Sequence, residues 1–231
     1  MWAWSLVPIS FAIWSTVGLW IVYFMSVSNG SVNISVAFPY ISTCGSYPPQ
    51  SCVFGQVLNV GAILAVWVTF IRFQQVRDLG CHSRLNIASA VLGVLSALGI
   101  SMVGNFQQSN QLETHLVGAV LAFFVGVAYF WLQTIMTYRV TPRHGGRWLG
   151  PYRFLLCTAC TVLIVMMGVL HSQNLKSAAA ICEWIAAMIL FLLFALFAVE
   201  FRHIEGHFFH VQKTVQSIPH QFQVSTVTLG V

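Results

Sequence analysis

Charge is what this chain has least of: 6% of its 231 residues are Asp, Glu, Lys or Arg, with Lys+Arg 10 against Asp+Glu 5. A soluble domain carries roughly 25% charged residues, and a hydrated surface cannot be built from so few. Basic runs are missing too. The net charge of +5 is scattered along the chain, so no face for nucleic acid is expected. No GxSxG, HExxH or P-loop pattern occurs, and no apolar stretch carries a pair of carboxylates. These absences speak against hydrolase, metalloprotease and pump chemistry, and no catalytic residue, cofactor or metal is assigned. Gly/Ser-rich and Pro-rich linkers are absent, as are internal repeats, broken helix pairs and a midplane charge for coupled transport. One compact bundle is the expectation.

What the chain does have is apolar sequence, 58% of its residues. A hydrocarbon core of ~30 Å takes ~20 helical residues, and six stretches qualify or nearly so: 6–27, 54–71, 85–103, 116–138, 154–170 and 178–199. None contains Asp, Lys or Arg. Lipid offers the backbone no hydrogen bonds, so only helices or closed barrels cross it, and barrel strands would alternate in polarity. An all-α, polytopic six-helix transmembrane bundle follows. Arg72, Arg77 and Arg84 fall between the second and third stretches, Arg139, Arg143, Arg147 and Arg153 between the fourth and fifth, and Arg202 and Lys213 in the tail. Lys176 stands alone on the other side. The positive-inside rule then places both termini in the cytosol, with 28–53 an outer loop and 201–231 a cytosolic tail. Trp4, Trp20, Trp148 and Trp184 sit near stretch ends, as interfacial aromatics do. The first stretch lacks a basic leader and a cleavage site before Asn29, so it reads as a permanent helix.

The outer loop carries the densest signals. Asn29 begins an N-G-S triplet and Asn33 an N-I-S triplet, both glycan acceptors on a luminal face, with Asn33 farther from the membrane. Cys44 and Cys52 flank GSYPPQS. In an oxidising compartment that spacing suggests a disulfide across a turn stiffened by Pro48 and Pro49, with two free thiols as the alternative.

Inside the spans, Glu183 is the one acid placed clearly within an apolar stretch, and a carboxylate there must be neutral, paired or turned inward. His171, His115 and Lys176 are its candidate partners. A Glu/His pair on an acidifying luminal side is a candidate pH sensor, with structural pairing as the plainer reading. Gly118, Ala122 and Gly126 form a small-residue stripe for close helix packing, within the bundle or in a dimer. Gln56, Asn59 and Gln133 either hydrogen-bond between helices or line a wet path. Cys157, Cys160 and Cys182 read as core thiols, and Cys81 as a reduced thiol or a palmitoylation site. Glu200, His203, His207 and His210 recur at helical spacing, giving either a metal-capable face or an amphipathic extension along the membrane.

Several motifs together resemble a known family. FPYISTCGSYPPQSCVFGQVLN (38–59), GNFQ (104–107), AICEW (180–184) and VEFRH (199–203) are similar to the Frag1/DRAM/Sfk1 family, nearest its transmembrane protein 150 branch, and they extend from the outer loop to the tail. The resemblance implies a six-span, non-enzymatic membrane regulator. The damage-regulated autophagy modulator branch is associated with autophagosome accumulation and flux and with survival under stress or starvation. Other relatives are linked to plasma-membrane phosphoinositide kinase complexes or to mechanically gated currents, so a channel, channel subunit or kinase scaffold is the alternative. The implied locations are endosomal or lysosomal, autophagosomal and plasma membranes. The implied partners are membrane lipids and regulatory proteins docking on cytosolic loops and tail. The shared motifs also imply that Cys44, Cys52, Pro48 and Pro49 shape the loop and that Glu183 and Trp184 anchor the sixth span.

Overall fold

The computed structural model describes residues 3–80, 84–141 and 145–204. Among these, every regular element is helical. Six helices are long and apolar enough to cross a membrane: Ala3–Ser28, Gln50–Asp78, Arg84–Asn105, Leu112–Arg139, Leu149–Ser172 and Lys176–Phe201, here spans one to six. The protein is therefore an all-α, multi-pass membrane protein. Each apolar stretch seen in the sequence lies within its helix, and the helices run past those stretches at both ends. A short loop helix, Ile41–Cys44, sits between spans one and two.

Neighbours in sequence are neighbours in space, and span one closes against span six. Short links enforce this order from span two onward. Span two ends at Asp78 with Leu79 as its cap, and Gly80 follows at φ 80°, a left-handed conformation that glycine adopts most readily. Spans five and six are joined through Asn174 at φ 62°, with the Leu175 N–H donating to the Leu170 carbonyl at 2.9 Å. Ser5 Oγ donates to the Ala198 carbonyl at 3.1 Å, so the ends of the first and last spans meet. We call that the terminal end of the bundle and the other the loop end. The outward surface is apolar, with Leu6, Ile13, Phe24, Phe70 and Leu155 all exposed, as a bundle solvated by lipid requires.

Spans three and four touch backbone to backbone. A Cβ added at Gly99 would lie 2.5 Å from the Ala122 nitrogen and 2.7 Å from the Gly118 oxygen, and one at Gly118 would lie 2.8 Å from Met102 Cβ. The stripe of Gly118, Ala122 and Gly126 thus faces span three of the same chain. Here span four opens into a π-helical turn, Leu121–Val125, and the Ala122 carbonyl accepts from Ser96 Oγ at 3.3 Å.

The terminal half of the core is built on charge. Glu200 is 4% exposed, Arg72 2% and Arg153 0%. Arg72 Nη2 lies 2.8 Å from Glu200 Oε1, and Arg153 Nη2 lies 2.7 Å from Glu200 Oε2. Arg72 Nε also donates to Gln133 Oε1 at 3.1 Å, Gln133 Nε2 to Ser89 Oγ at 2.6 Å, and Arg153 Nη1 to Thr137 Oγ1. Gln75 Nε2 donates to the Glu200 carbonyl at 2.8 Å. The Arg153 guanidinium stacks 4.9 Å from the Phe197 ring centroid, within the aromatic core of Phe11, Phe130 and Phe194. One carboxylate so ties together side chains from spans two, three, four, five and six.

This corrects two expectations and decides between two readings of a third. Arg72 and Arg153 are not loop residues but buried members of spans two and five. Glu200 closes span six and does not open an exposed tail face with His203; His207 and His210 lie outside the described residues, as do Cys81, Arg143 and Lys213. Of the two readings of Gln56, Asn59 and Gln133, hydrogen bonding between helices is the one seen: Gln133 is held by Arg72 and Ser89 at the terminal end and Asn59 by Asn105 and Ser101 toward the loop end, while Gln56 is exposed.

Removing one member of a buried ion network leaves an uncompensated charge, at a cost of about 3–5 kcal/mol. Glu200→Gln should therefore lower the thermal midpoint of the detergent-solubilised protein sharply, whereas Arg202→Gln, on an exposed residue next to the helix end, should not. Equal melting of both variants would count against the network.

Candidate functional site

The loop end is assembled from residues that look unrelated in sequence. The segment from Phe38 to Ile41 runs extended across the tip of span six, and a chain laid over helices needs partners for its backbone groups. Span six supplies three. Ser177 Oγ accepts from the Phe38 N–H at 3.1 Å, Trp184 Nε1 donates to the Pro39 carbonyl at 3.0 Å, and Glu183 Oε2 accepts from the Ile41 N–H at 2.8 Å. Glu183 thereby caps the loop helix, whose preceding residue Tyr40 offers no side-chain cap. Trp184 packs among Trp20, Tyr23 and Phe38, with centroid separations of 4.9, 5.7 and 6.4 Å. The PYIS and AICEW motifs are thus two halves of one clamp.

The GNFQ segment joins it. Gln108 Oε1 accepts from Ser42 Oγ at 2.9 Å, and His115 Nδ1 pairs with the Phe106 carbonyl at 2.7 Å. His171 Nδ1 pairs with the Tyr40 hydroxyl at 2.9 Å. Burial, and then the nearby Glu183 carboxylate, raise the Tyr40 phenol above its ordinary value, so it stays protonated. Glu183, His115 and His171 do gather around one cleft, but each bonds a different group: Glu183 takes a backbone amide, His115 a carbonyl and His171 a phenol. Lys176 is exposed.

The expected Cys44–Cys52 bridge is not formed: both cysteines are free thiols. Cys44 closes the loop helix and is buried in the cluster of Leu19, Val22, Phe54 and Trp184, whereas Cys52 lies exposed in the first turn of span two. Burial raises the Cys44 thiol above its ordinary value, with the Ser26 hydroxyl opposing, and so reduces the thiolate that disulfide exchange needs. The two acceptor asparagines also differ. Asn29 Nδ2 donates to Gln50 Oε1 at 2.7 Å, while the exposed Asn33 uses only Oδ1, accepting from the Ser35 N–H at 3.0 Å.

Reading the sequence alone missed the clamp's true partner, the Ile41 amide, since nothing in a residue string marks a side chain bound to distant backbone. It also missed Glu200. The usable signal there was an acid directly against an apolar run, with Arg72 and Arg153 equally close to their own runs.

Comparison with known proteins follows the same motifs. A family model described as the Frag1/DRAM/Sfk1/Cwh43P N-terminal domain matches residues 3–204. The chain is 64% identical over 231 residues to the modulator of macroautophagy TMEM150B of Xenopus tropicalis, covering 100% of both chains. It is 50% identical over 208 residues to the human modulator of macroautophagy TMEM150B, covering 89% of each. With transmembrane protein 150A of Xenopus laevis it shares 33% identity over 229 residues, covering 87% of this chain and 84% of the relative. No solved structure matches.

A hydrogen bond to a charged acceptor contributes about 1.5–3 kcal/mol, so losing it should speed local opening roughly 10- to 100-fold. Glu183→Ala should raise amide hydrogen exchange at Ile41 by that factor, and Glu183→Gln, which keeps an acceptor oxygen, should raise it far less. Unchanged exchange in the alanine variant would contradict the clamp.

Proposed function

The chain belongs to the Frag1/DRAM/Sfk1/Cwh43P family, and from that premise we propose that it is a non-enzymatic modulator of macroautophagy that promotes survival under stress or starvation. The observation that carries this reading is the match, over 100% and 89% of the chain, to relatives named modulators of macroautophagy. The structure supports it in how the polar groups are used. Glu183 caps a backbone amide and Glu200 neutralises two guanidiniums, so these two acids serve the architecture.

Orientation belongs to the same proposal. Arg77, Arg84, Arg139, Arg147 and Arg202 are exposed at the terminal end, and Lys176 is exposed at the loop end. Under the positive-inside rule this bias supports a cytosolic terminal end and a clamp facing the lumen or cell exterior. Basic loops and tail then face the anionic leaflet and cytosolic regulatory proteins of endosomal, lysosomal, autophagosomal and plasma membranes. On the luminal side Asn33 accepts the glycan, since the Asn29 amide nitrogen is engaged.

Overexpression should raise lipidated autophagosome marker in starved cells, with a further rise when lysosomal degradation is blocked, and depletion should do the reverse. No change in either direction, or a reproducible current from purified protein in planar bilayers, would defeat the reading. Asn33→Gln should abolish an endoglycosidase-sensitive mobility shift that Asn29→Gln leaves intact. A shift that survives Asn33→Gln contradicts the glycan assignment.

A further inference from the structure

Among the described residues, the side-chain hydrogen bonds between spans four and five fall along their terminal halves. There Trp131 Nε1 donates to Thr161 Oγ1 at 3.0 Å, Thr134 Oγ1 meets Cys157 Sγ at 3.5 Å, and Arg153 reaches Thr137. Toward the loop end a cleft of about 330 Å³ lies between the same two helices. At Gly168 on span five an added Cβ would meet no atom within 4 Å. The opposing wall is the exposed apolar row Leu116, Val120 and Phe124 of span four. The cleft opens beside exposed apolar side chains of both helices, that is, toward lipid.

Its inner end is polar, which a plain packing defect would not be. Glu183, His115, His171 and Gln108 line it. Each spends one atom on the clamp, and Glu183 Oε1, both imidazole Nε2 atoms and Gln108 Nε2 make no hydrogen bond among the described residues. Free polar atoms at one end and an apolar wall along the other suit an occupant divided in the same way. Ser42, His115, Ala119, Phe123 and Glu183 are shared with a second cavity of about 90 Å³ reaching in toward Phe11 and Phe194, which continues the apolar path past the π-helical turn. The cleft falls within the roughly 300–1,000 Å³ of ligand pockets.

Charge narrows the chemistry of the head group. Among the described residues no Lys or Arg lines the cleft, and a carboxylate does. A phosphate would meet Glu183 with no Lys or Arg to balance it, whereas hydroxyl and amide groups both donate and accept with a carboxylate, imidazoles and a carboxamide. We propose that this cleft binds an uncharged, hydroxyl-bearing acyl lipid, its head group against Glu183, His115 and His171 and its chain along Leu116, Val120, Phe124 and Gly168. Diacylglycerol and ceramide share this chemistry. The site stands or falls independently of the autophagy reading, because binding is read on purified protein.

The test uses full-length protein in phosphatidylcholine vesicles with diazirine-bearing diacylglycerol, ceramide or phosphatidic acid of matched chains. Mass spectrometry should find crosslinks concentrated in peptides spanning 116–124 and 167–171, at least roughly tenfold above phosphatidic acid, the scale of one hydrogen-bonded charge mismatch. The uncharged probe that labels more strongly identifies the source. Excess unlabelled lipid of that kind should compete and phosphatidic acid should not, a comparison that needs no variant. Gly168→Phe, which fills the cleft from an unobstructed position, should remove the labelling while leaving the thermal midpoint unchanged. Labelling by phosphatidic acid equal to that by both uncharged probes, labelling spread evenly to span-one peptides around Ile13, or full labelling of a folded Gly168→Phe protein would each overturn the proposal.

Discussion

A single carboxylate held between two guanidiniums organises this bundle. Within an apolar protein surrounded by lipid, helix association gains little from the hydrophobic effect, so packing and polar contacts decide which helices meet. Glu200 with Arg72 and Arg153 is a strong contact of that kind, because none of the three tolerates burial alone. Through Gln133, Ser89, Thr137 and Gln75 it gathers five spans at the terminal end, and Ser5 brings in the first. The aromatic core then packs against guanidinium faces instead of against water.

With the terminal end fixed, the loop end has a different construction and a different freedom. Its polar bonds are single contacts between side chains and backbone, and Glu183 does there with one amide what Glu200 does with two cations. The two acids lie 17 positions apart on span six, about 25 Å along a helix at 1.5 Å per residue, one near each membrane face. Among the described residues the hydrogen bonds between spans four and five lie on the Arg153 side, and the cleft lies on the other. The family motifs follow this division: three of them build the loop end, and VEFRH supplies the carboxylate of the terminal end.

The spans were legible in the sequence because continuous apolarity without Asp, Lys or Arg needs no tertiary information. The loop's importance was legible too, through its cysteines, prolines and acceptor asparagines. What failed was the treatment of each charged residue as the end of a span. Arg72, Arg153 and Glu200 are buried because they satisfy one another, and pairing between residues 47 or more positions apart leaves no local trace. The disulfide expectation failed for a related reason: eight residues of spacing permit a bridge, but only the fold shows Cys44 packed under the clamp and Cys52 exposed. Glu183 was recognised as unusual from its neighbours alone, while its partner, a backbone amide in another segment, was not.

The account rests on the ion network acting as one unit, and a mutant cycle on thermal stability tests that most directly. Glu200→Gln alone should be strongly destabilising. Combining Glu200→Leu with Arg72→Met and Arg153→Met, which removes every charge and fills similar volume, should restore most of the loss, because no uncompensated charge remains. A triple variant no more stable than the single one, or a single variant as stable as the parent, would show that the charges do not hold the spans together.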